Sequence, residues 1–301
     1  MITPAFLEKG DKIGIVAPAR KIEMDEIKPS IEIFKNWGLE VVLGKNIFQQ
    51  YNQFAGTDEQ RAADLQFMLD NSEIKAIISA RGGYGTVRLL PLLDFSKFIK
   101  TPKWIVGYSD ITVIHAHVNQ NLGVKTIHGT MPLNFPKDGK ENEATKSLRK
   151  ALFGEKPSYK IQPHPFNKKG EIRGTLIGGN LSVLYSLSGT KYDIETKNKI
   201  LVLEDLDEYL YHIDRMMMNL KLGGKLDKLK GLIVGEMSDM NDNEIPFGKS
   251  AYEIIYDVVK EYNYPTCFNF PVGHIKNNRA IILGSDVELK AETNQVQFTT
   301  F

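Results

Sequence analysis

Trp104-Ile105-Val106-Gly107-Tyr108-Ser109-Asp110-Ile111-Thr112 reads as an apolar strand, a tight turn and the opening of a helix. Trp104–Val106 is the strand, and Ile111–Asn119 carries the helical pattern. A serine at such a junction, two residues after a glycine, has the layout of a nucleophile elbow. The turn lifts its hydroxyl clear of the sheet, and the helix aims N–H groups at developing negative charge. The usual elbow has a second glycine where Ile111 stands. The same layout also suits a serine that only caps the helix. The turn alone leaves both roles open.

The pattern repeats on either side. Lys12–Ala17, Leu39–Leu43 and Ala76–Ser79 are apolar runs that predict strands. Glu26–Trp37 and Asp58–Asp70 predict the helices between them, with Gly38 closing the first and Thr57 capping the second. Strand–helix alternation of this kind predicts an α/β fold with a parallel sheet and ligand sites at the strands' carboxyl ends. One such end opens into Arg81-Gly82-Gly83-Tyr84-Gly85. Its adjacent glycines admit close approach to an oxyanion or a phosphate, and equally suit a plain tight turn. The spacing matches neither a Walker loop nor a dinucleotide fingerprint.

After Met131-Pro132 the composition shifts. Lys137–Lys150 is charged and helical in pattern, and Gly154–Gly170 is polar and proline-bearing, as a connection between domains would be. The expected division is 1–154 and 155–301. The second part has short strand patterns at Gly174–Ile177, Ile200–Leu203, Gly231–Gly235, Ala280–Leu283 and Val287–Ala291. One helix, near Tyr211–Leu220, interrupts them, and Val296–Phe301 reads as an edge strand. A β-rich, mixed or barrel-like second domain is expected.

Two further groups can carry chemistry. Glu204 ends the run Ile200–Leu203, where a carboxylate is placed to orient a histidine, although Asp205, Asp207 and Glu208 crowd it and a solvated acidic loop reads as well. His274 follows Gly273 in a loop that can face a cleft or simply solvent. His128 precedes Gly129 and belongs near the same region. His115 and His117 point to different sides of one helix, and no zinc spacing occurs, so no metal is indicated. Met216–Met218 reads as helix packing.

The 301 residues are 42% apolar and 25% charged, with 38 basic against 37 acidic side chains and a single cysteine, Cys267. That balance gives no electrostatic reason to expect nucleic acid or an anionic membrane as partner. No disulfide can form within the chain, and no run approaches the roughly 18 apolar residues of a membrane span. A soluble, cytoplasmic chain is expected.

Taken together, Gly107-Tyr108-Ser109-Asp110-Ile111-Thr112, Arg81–Gly85, Gly178-Gly179-Asn180-Leu181, Leu203-Glu204-Asp205 and Gly273-His274 resemble the LD-carboxypeptidase family of serine peptidases. That family also contains the microcin C immunity peptidases. The resemblance implies a Rossmann-like N-terminal domain, a smaller β-rich C-terminal domain and a site between them. It implies a triad of Ser109, His274 and Glu204, with backbone N–H groups of Asp110 and Gly83 as the oxyanion hole and no cofactor. The implied reaction removes the terminal D-alanine of a murein tetrapeptide during cytoplasmic peptidoglycan recycling, by a homodimer. Arg81, Lys276 and Arg279 are candidates to hold the substrate carboxylate. The alternatives are an immunity-type peptidase acting on aminoacyl or peptidyl nucleotides, and a non-enzymatic small-molecule anion binder.

Overall fold

The structure is a computed structural model that describes residues 1–292 and 294–301. The chain begins β1 (Lys12–Val16), α1 (Met24–Asn36), β2 (Glu40–Leu43), α2 (Asp58–Asp70), β3 (Ile74–Ser79), α3 (Ser96–Lys100), β4 (Trp104–Gly107), α4 (Thr112–Leu122), β5 (Thr126–His128) and α5 (Glu143–Leu152). It continues β6 (Ser158–Ile161), β7 (Gly170–Asn180), α6 (Leu181–Leu187), β8 (Lys199–Leu206), α7 (Leu210–Leu222), β9 (Gly231–Ser238), α8 (Ala251–Val259), β10 (Thr266–Cys267), β11 (Ile281–Leu283), β12 (Asp286–Ala291) and β13 (Val296–Thr300).

The first sheet has the order β11-β5-β4-β3-β1-β2. Strands β1 to β5 are mutually parallel, as the alternation predicts. Their side chains alternate between two layers. Ile13, Ile15, Ala76, Ile78, Trp104 and Val106 pack with α1 and α5 on one face. Val16, Ile77 and Ile105 pack with α2, α3 and α4 on the other. Thr57 caps α2 as expected, its hydroxyl accepting the Gln60 N–H at 3.3 Å. The crossover from β1 to β2 therefore lies on one face and that from β2 to β3 on the other. The strand order reverses between β1 and β3, which opens a crevice at their carboxyl ends.

The second sheet has the order β10-β9-β8-β7-β12-β13-β6. Its first four strands are parallel and the rest antiparallel. Lys168, just before β7, exchanges backbone hydrogen bonds with Thr266 of β10, which curls the sheet back on itself. Helices α6, α7 and α8 cover one face.

Four details differ from the sequence expectations. Three helices, not one, interrupt the second half. The Ser250/Glu253 capping box and the buried face Ile254, Ile255, Val258 and Val259 are the signals for α8. The strand at Ala280–Leu283 joins the first sheet, where β11 runs antiparallel to β5. Val296–Phe301 is no edge: β13 is flanked by β12 and β6, and β6 lies inside the stretch read as a connection. Finally, Glu204 does not end its strand, because β8 continues to Leu206. Among the described residues no helix is long and apolar enough to cross a membrane.

The two halves meet where β7 runs onto the start of α4. The Asn180 N–H donates to Thr112 Oγ1 at 3.0 Å. Gly179 has φ 140°, and a Cβ there would stand 2.6 Å from the same oxygen. Gly179→Ala is therefore expected to lower the unfolding free energy by about 2 kcal/mol or more, from backbone strain and the forced separation. Denaturant unfolding checks it; a change below about 0.5 kcal/mol would show that this joint yields freely.

Candidate active site

Turns at the carboxyl ends of neighbouring strands β3 and β4 bring Arg81–Gly85 against Ser109. A Cβ on Gly82 would lie 2.9 Å from Ser109 Cβ and 3.0 Å from Ser109 Oγ, so only glycine permits this approach. Ser109 has φ 63°, a left-handed conformation rare for serine. No side-chain capping bond forms at this helix start, so Ser109 is not spent as an N-cap. The turn stores strain of about 1–3 kcal/mol while presenting the hydroxyl to a cleft of about 440 Å³.

The glycine turn is held from behind. Asp110 is buried, and its Oδ2 accepts the Thr86 N–H at 2.8 Å. Burial raises the Asp110 carboxyl above its ordinary value, against the pull of that bond. The buried Arg61 donates to Gly85 O at 3.1 Å and also pairs with Asp58. The side chain of Asp110 is thus a strut between the two turns, and its own N–H stands beside Ser109 in the chain.

Glu204 and His274 come from the second half. The register of β8 against β9 shifts between Leu203 and Asp205, and such a bulge re-aims a side chain. Glu204 is fully buried and its Oε2 accepts the His274 Nδ1–H at 2.8 Å. The backbone of Gly273 presses against it: a Cβ there would meet Glu204 Oε2 at 2.9 Å. Burial alone would raise the Glu204 carboxyl, but His274 and His128 outweigh it and hold the group at about 2. Burial alone would lower His274; the Glu204 charge and hydrogen bond reverse this and raise it above its ordinary value. With Nδ1 committed, Nε2 is the nitrogen left for the cleft.

His128, at the end of β5, stands 3.7 Å from the other Glu204 oxygen and is buried. The Tyr108 ring lies edge-on to His274 at 4.8 Å and tilted to His128 at 5.8 Å. His115 is buried, bonds Gly107 O through Nε2 at 2.9 Å, and is lowered to about 3 by burial. Asp205 does not compete for His274. It accepts from Asn180 Nδ2 at 2.9 Å and from the Ser182 N–H at 2.8 Å, and burial with the Glu204 charge pushes it up to about 7.

The cleft is lined by Ser109, His274, Gly82, Gly83, Arg20 and Arg81, among others. The structure thus brings Ser109, Gly83 and His274 to one cleft, with Glu204 behind His274. Of the basic candidates, Arg81 lines it, whereas Arg279 lies over the Tyr159 ring at 5.2 Å in another depression. Sequence reasoning missed Arg20, although Ala17-Pro18-Ala19-Arg20 also leaves a strand's carboxyl end.

The residues 13–129 match the model of the LD-carboxypeptidase N-terminal domain, and 173–289 match that of its C-terminal domain. The chain is also 36% identical to a Bacillus subtilis protein named probable murein peptide carboxypeptidase, over 98% of this chain and 92% of that one. This chain belongs to the LD-carboxypeptidase family. It is a serine-type carboxypeptidase, a hydrolase. Family relatives include the murein tetrapeptide carboxypeptidase of Pseudomonas aeruginosa, 30% identical over 93% of each chain. The Escherichia coli microcin C7 self-immunity protein is 26% identical, over 98% of this chain and 95% of that one. A solved muramoyltetrapeptide carboxypeptidase from Oxalobacter formigenes superposes with TM-score 0.87 at 27% identity, covering 96% of this chain and 98% of that one.

Replacing Glu204 by Gln leaves burial to act on His274 without its strongest counterweight. The His274 pKa, followed by NMR, is expected to stand above about 6.5 in the wild type and to fall in Glu204→Gln; an unchanged value would contradict the assigned pairing. Ser109→Gly should relieve the left-handed strain and raise the unfolding free energy by up to about 1 kcal/mol. A destabilised Ser109→Gly in thermal unfolding would refute strain at this turn.

Proposed function

We propose that the chain is a murein tetrapeptide carboxypeptidase acting through a triad of Ser109, His274 and Glu204. The observation that carries this reading is the His274–Glu204 bond, which leaves Nε2 for the cleft that Ser109 lines. In the proposed mechanism Ser109 Oγ attacks the carbonyl of the bond between the diamino acid and the terminal D-alanine. His274 Nε2 takes the hydroxyl proton and passes it to the leaving amine, while Glu204 fixes the tautomer and stabilises the imidazolium. The N–H groups of Asp110 and Gly83 hold the oxyanion, each worth about 10²–10³ in rate. Water then resolves the acyl-enzyme, with His274 as base, and no cofactor takes part.

The immunity-type reading shares the triad and differs in substrate. Only Asp207, Glu208 and Tyr209 link β8 to α7 in this chain. By the family resemblance, immunity-type members carry a longer loop here with added aromatic contacts to a nucleotide, so the short link favours the carboxypeptidase reading.

Incubation with a defined tetrapeptide and mass spectrometry should show loss of one alanine, and Ser109→Ala should lower kcat by about 10⁴-fold or more while melting near the wild type. Full activity in Ser109→Ala would end the mechanism. Cleavage of an aminoacyl sulfamoyl adenosine with no action on the tetrapeptide would favour the other substrate. His274 must be neutral to accept a proton, so its raised pKa places the acid limb of kcat/KM above about pH 6.5. A pH–rate profile flat down to pH 5 would remove His274 as the base.

A further inference from the structure

We infer that Arg20 and Arg81 together form the subsite for the substrate's terminal carboxylate. The inference rests on the carboxypeptidase reading of the cleft and names the groups that make the enzyme act at a chain end.

The first observation is placement. Arg20 follows β1 and Arg81 follows β3, the pair of strands between which the sheet order reverses. Crevices at such reversals are where open α/β sheets take ligands. Both arginines line the same cleft as Ser109.

The second is reach. Gly82 touches Ser109, and the next residue, Gly83, touches Arg20. Gly83 has φ 127°, and a Cβ there would lie 2.5 Å from Arg20 Cγ and 2.7 Å from Arg20 Cδ. The serine and the arginine stem therefore abut adjacent residues of one glycine turn, and both line one cleft.

The third is free charge. Among the described residues Arg61 and Arg88 both pair with Asp58 behind the turn, whereas neither Arg20 nor Arg81 has a carboxylate within ion-pair distance. Arg81 is anchored by one bond to Lys21 O at 3.2 Å, and its buried Nε has no partner. Glu26 acts on Arg81 only through space, and its carboxylate is engaged at the start of α1 by the Glu23 N–H at 2.7 Å. The cleft's own acids are occupied. Asp205 serves Asn180 and Ser182, Asp207 accepts from Asn241 Nδ2 at 2.8 Å, and Glu208 holds His212 at 2.6 Å. The guanidinium groups of Arg20 and Arg81 are thus left without a carboxylate partner in this cleft, and their planar forks suit a carboxylate.

The test compares a tetrapeptide ending in D-alanine with the same peptide ending in D-alanine amide. Wild-type kcat/KM should favour the free acid by about 10–100-fold, the range of one or two charge-assisted hydrogen bonds. In Arg20→Gln and Arg81→Gln the acid-to-amide ratio should fall towards one, with most of the loss in KM. A structural role would depress both substrates and leave the ratio intact, which would overturn the inference, as would a wild type that does not distinguish acid from amide. Arg20 is exposed and its variant is expected to fold; Arg81→Lys, which keeps the charge without the fork, substitutes if Arg81→Gln fails to fold. If the wild type cleaves neither peptide, the proposed function falls. Titration of Ser109→Ala with N-acetyl-L-lysyl-D-alanine and its amide then still decides the subsite: an arginine-dependent preference for the acid supports it, and equal binding overturns it.

Discussion

A carboxylate with no solvent at all is the constraint around which the two halves of this chain are arranged. Burying Glu204 as an ion is costly unless charge and hydrogen bonding replace its water. His274 supplies the hydrogen bond to one oxygen, and the His128 ring stands 3.7 Å from the other, which makes no hydrogen bond among the described residues. His128 belongs to the first sheet, Glu204 to the second, and His274 to the loop that returns the chain from the second sheet to the first. One electrostatic requirement thus ties together elements far apart in sequence. It also explains local oddities: the bulge in β8 that turns Glu204, and Gly273, whose missing side chain lets the loop close on it.

The same logic sets the chemical division of the cleft. One wall is backbone: the glycine turn and the start of α4, braced by Asp110 and Arg61. The other wall is the histidine fixed by Glu204. Strain at Ser109 is tolerated because Asp110, Thr86 and Gly82 over-determine the turn. Asp205, adjacent to Glu204, is withdrawn from the cleft's chemistry by Asn180 and Ser182, so neighbouring acids have separate tasks.

What could be read beforehand followed short-range rules. The parallel sheet was legible in the runs at Lys12–Ala17, Ala76–Ser79 and Trp104–Val106, because strands buried on both faces have few polar residues. Thr57 as a cap was legible from one turn of sequence. The placement of Ala280–Leu283 in the first sheet was not, because three apolar residues pair equally well with any exposed strand edge. Nor was the position of Val296–Phe301, since an alternating strand carries no mark of which neighbours flank it.

The sequence by itself determined the α/β class, the two turns at strand ends and the residue types able to act there, since each depends on periodicity and on glycine, proline and capping rules within a few residues. The motif resemblance already singled out Glu204 and Ser109, but only the tertiary structure decided that Glu204 bonds His274 while Asp205 turns to Asn180 and Ser182, that Ser109 makes no capping bond, and that Arg20 lines the same cleft as Arg81. Those outcomes depend on which side of a bulge a side chain leaves and on which strands lie adjacent, and both are fixed by packing between residues dozens to hundreds of positions apart.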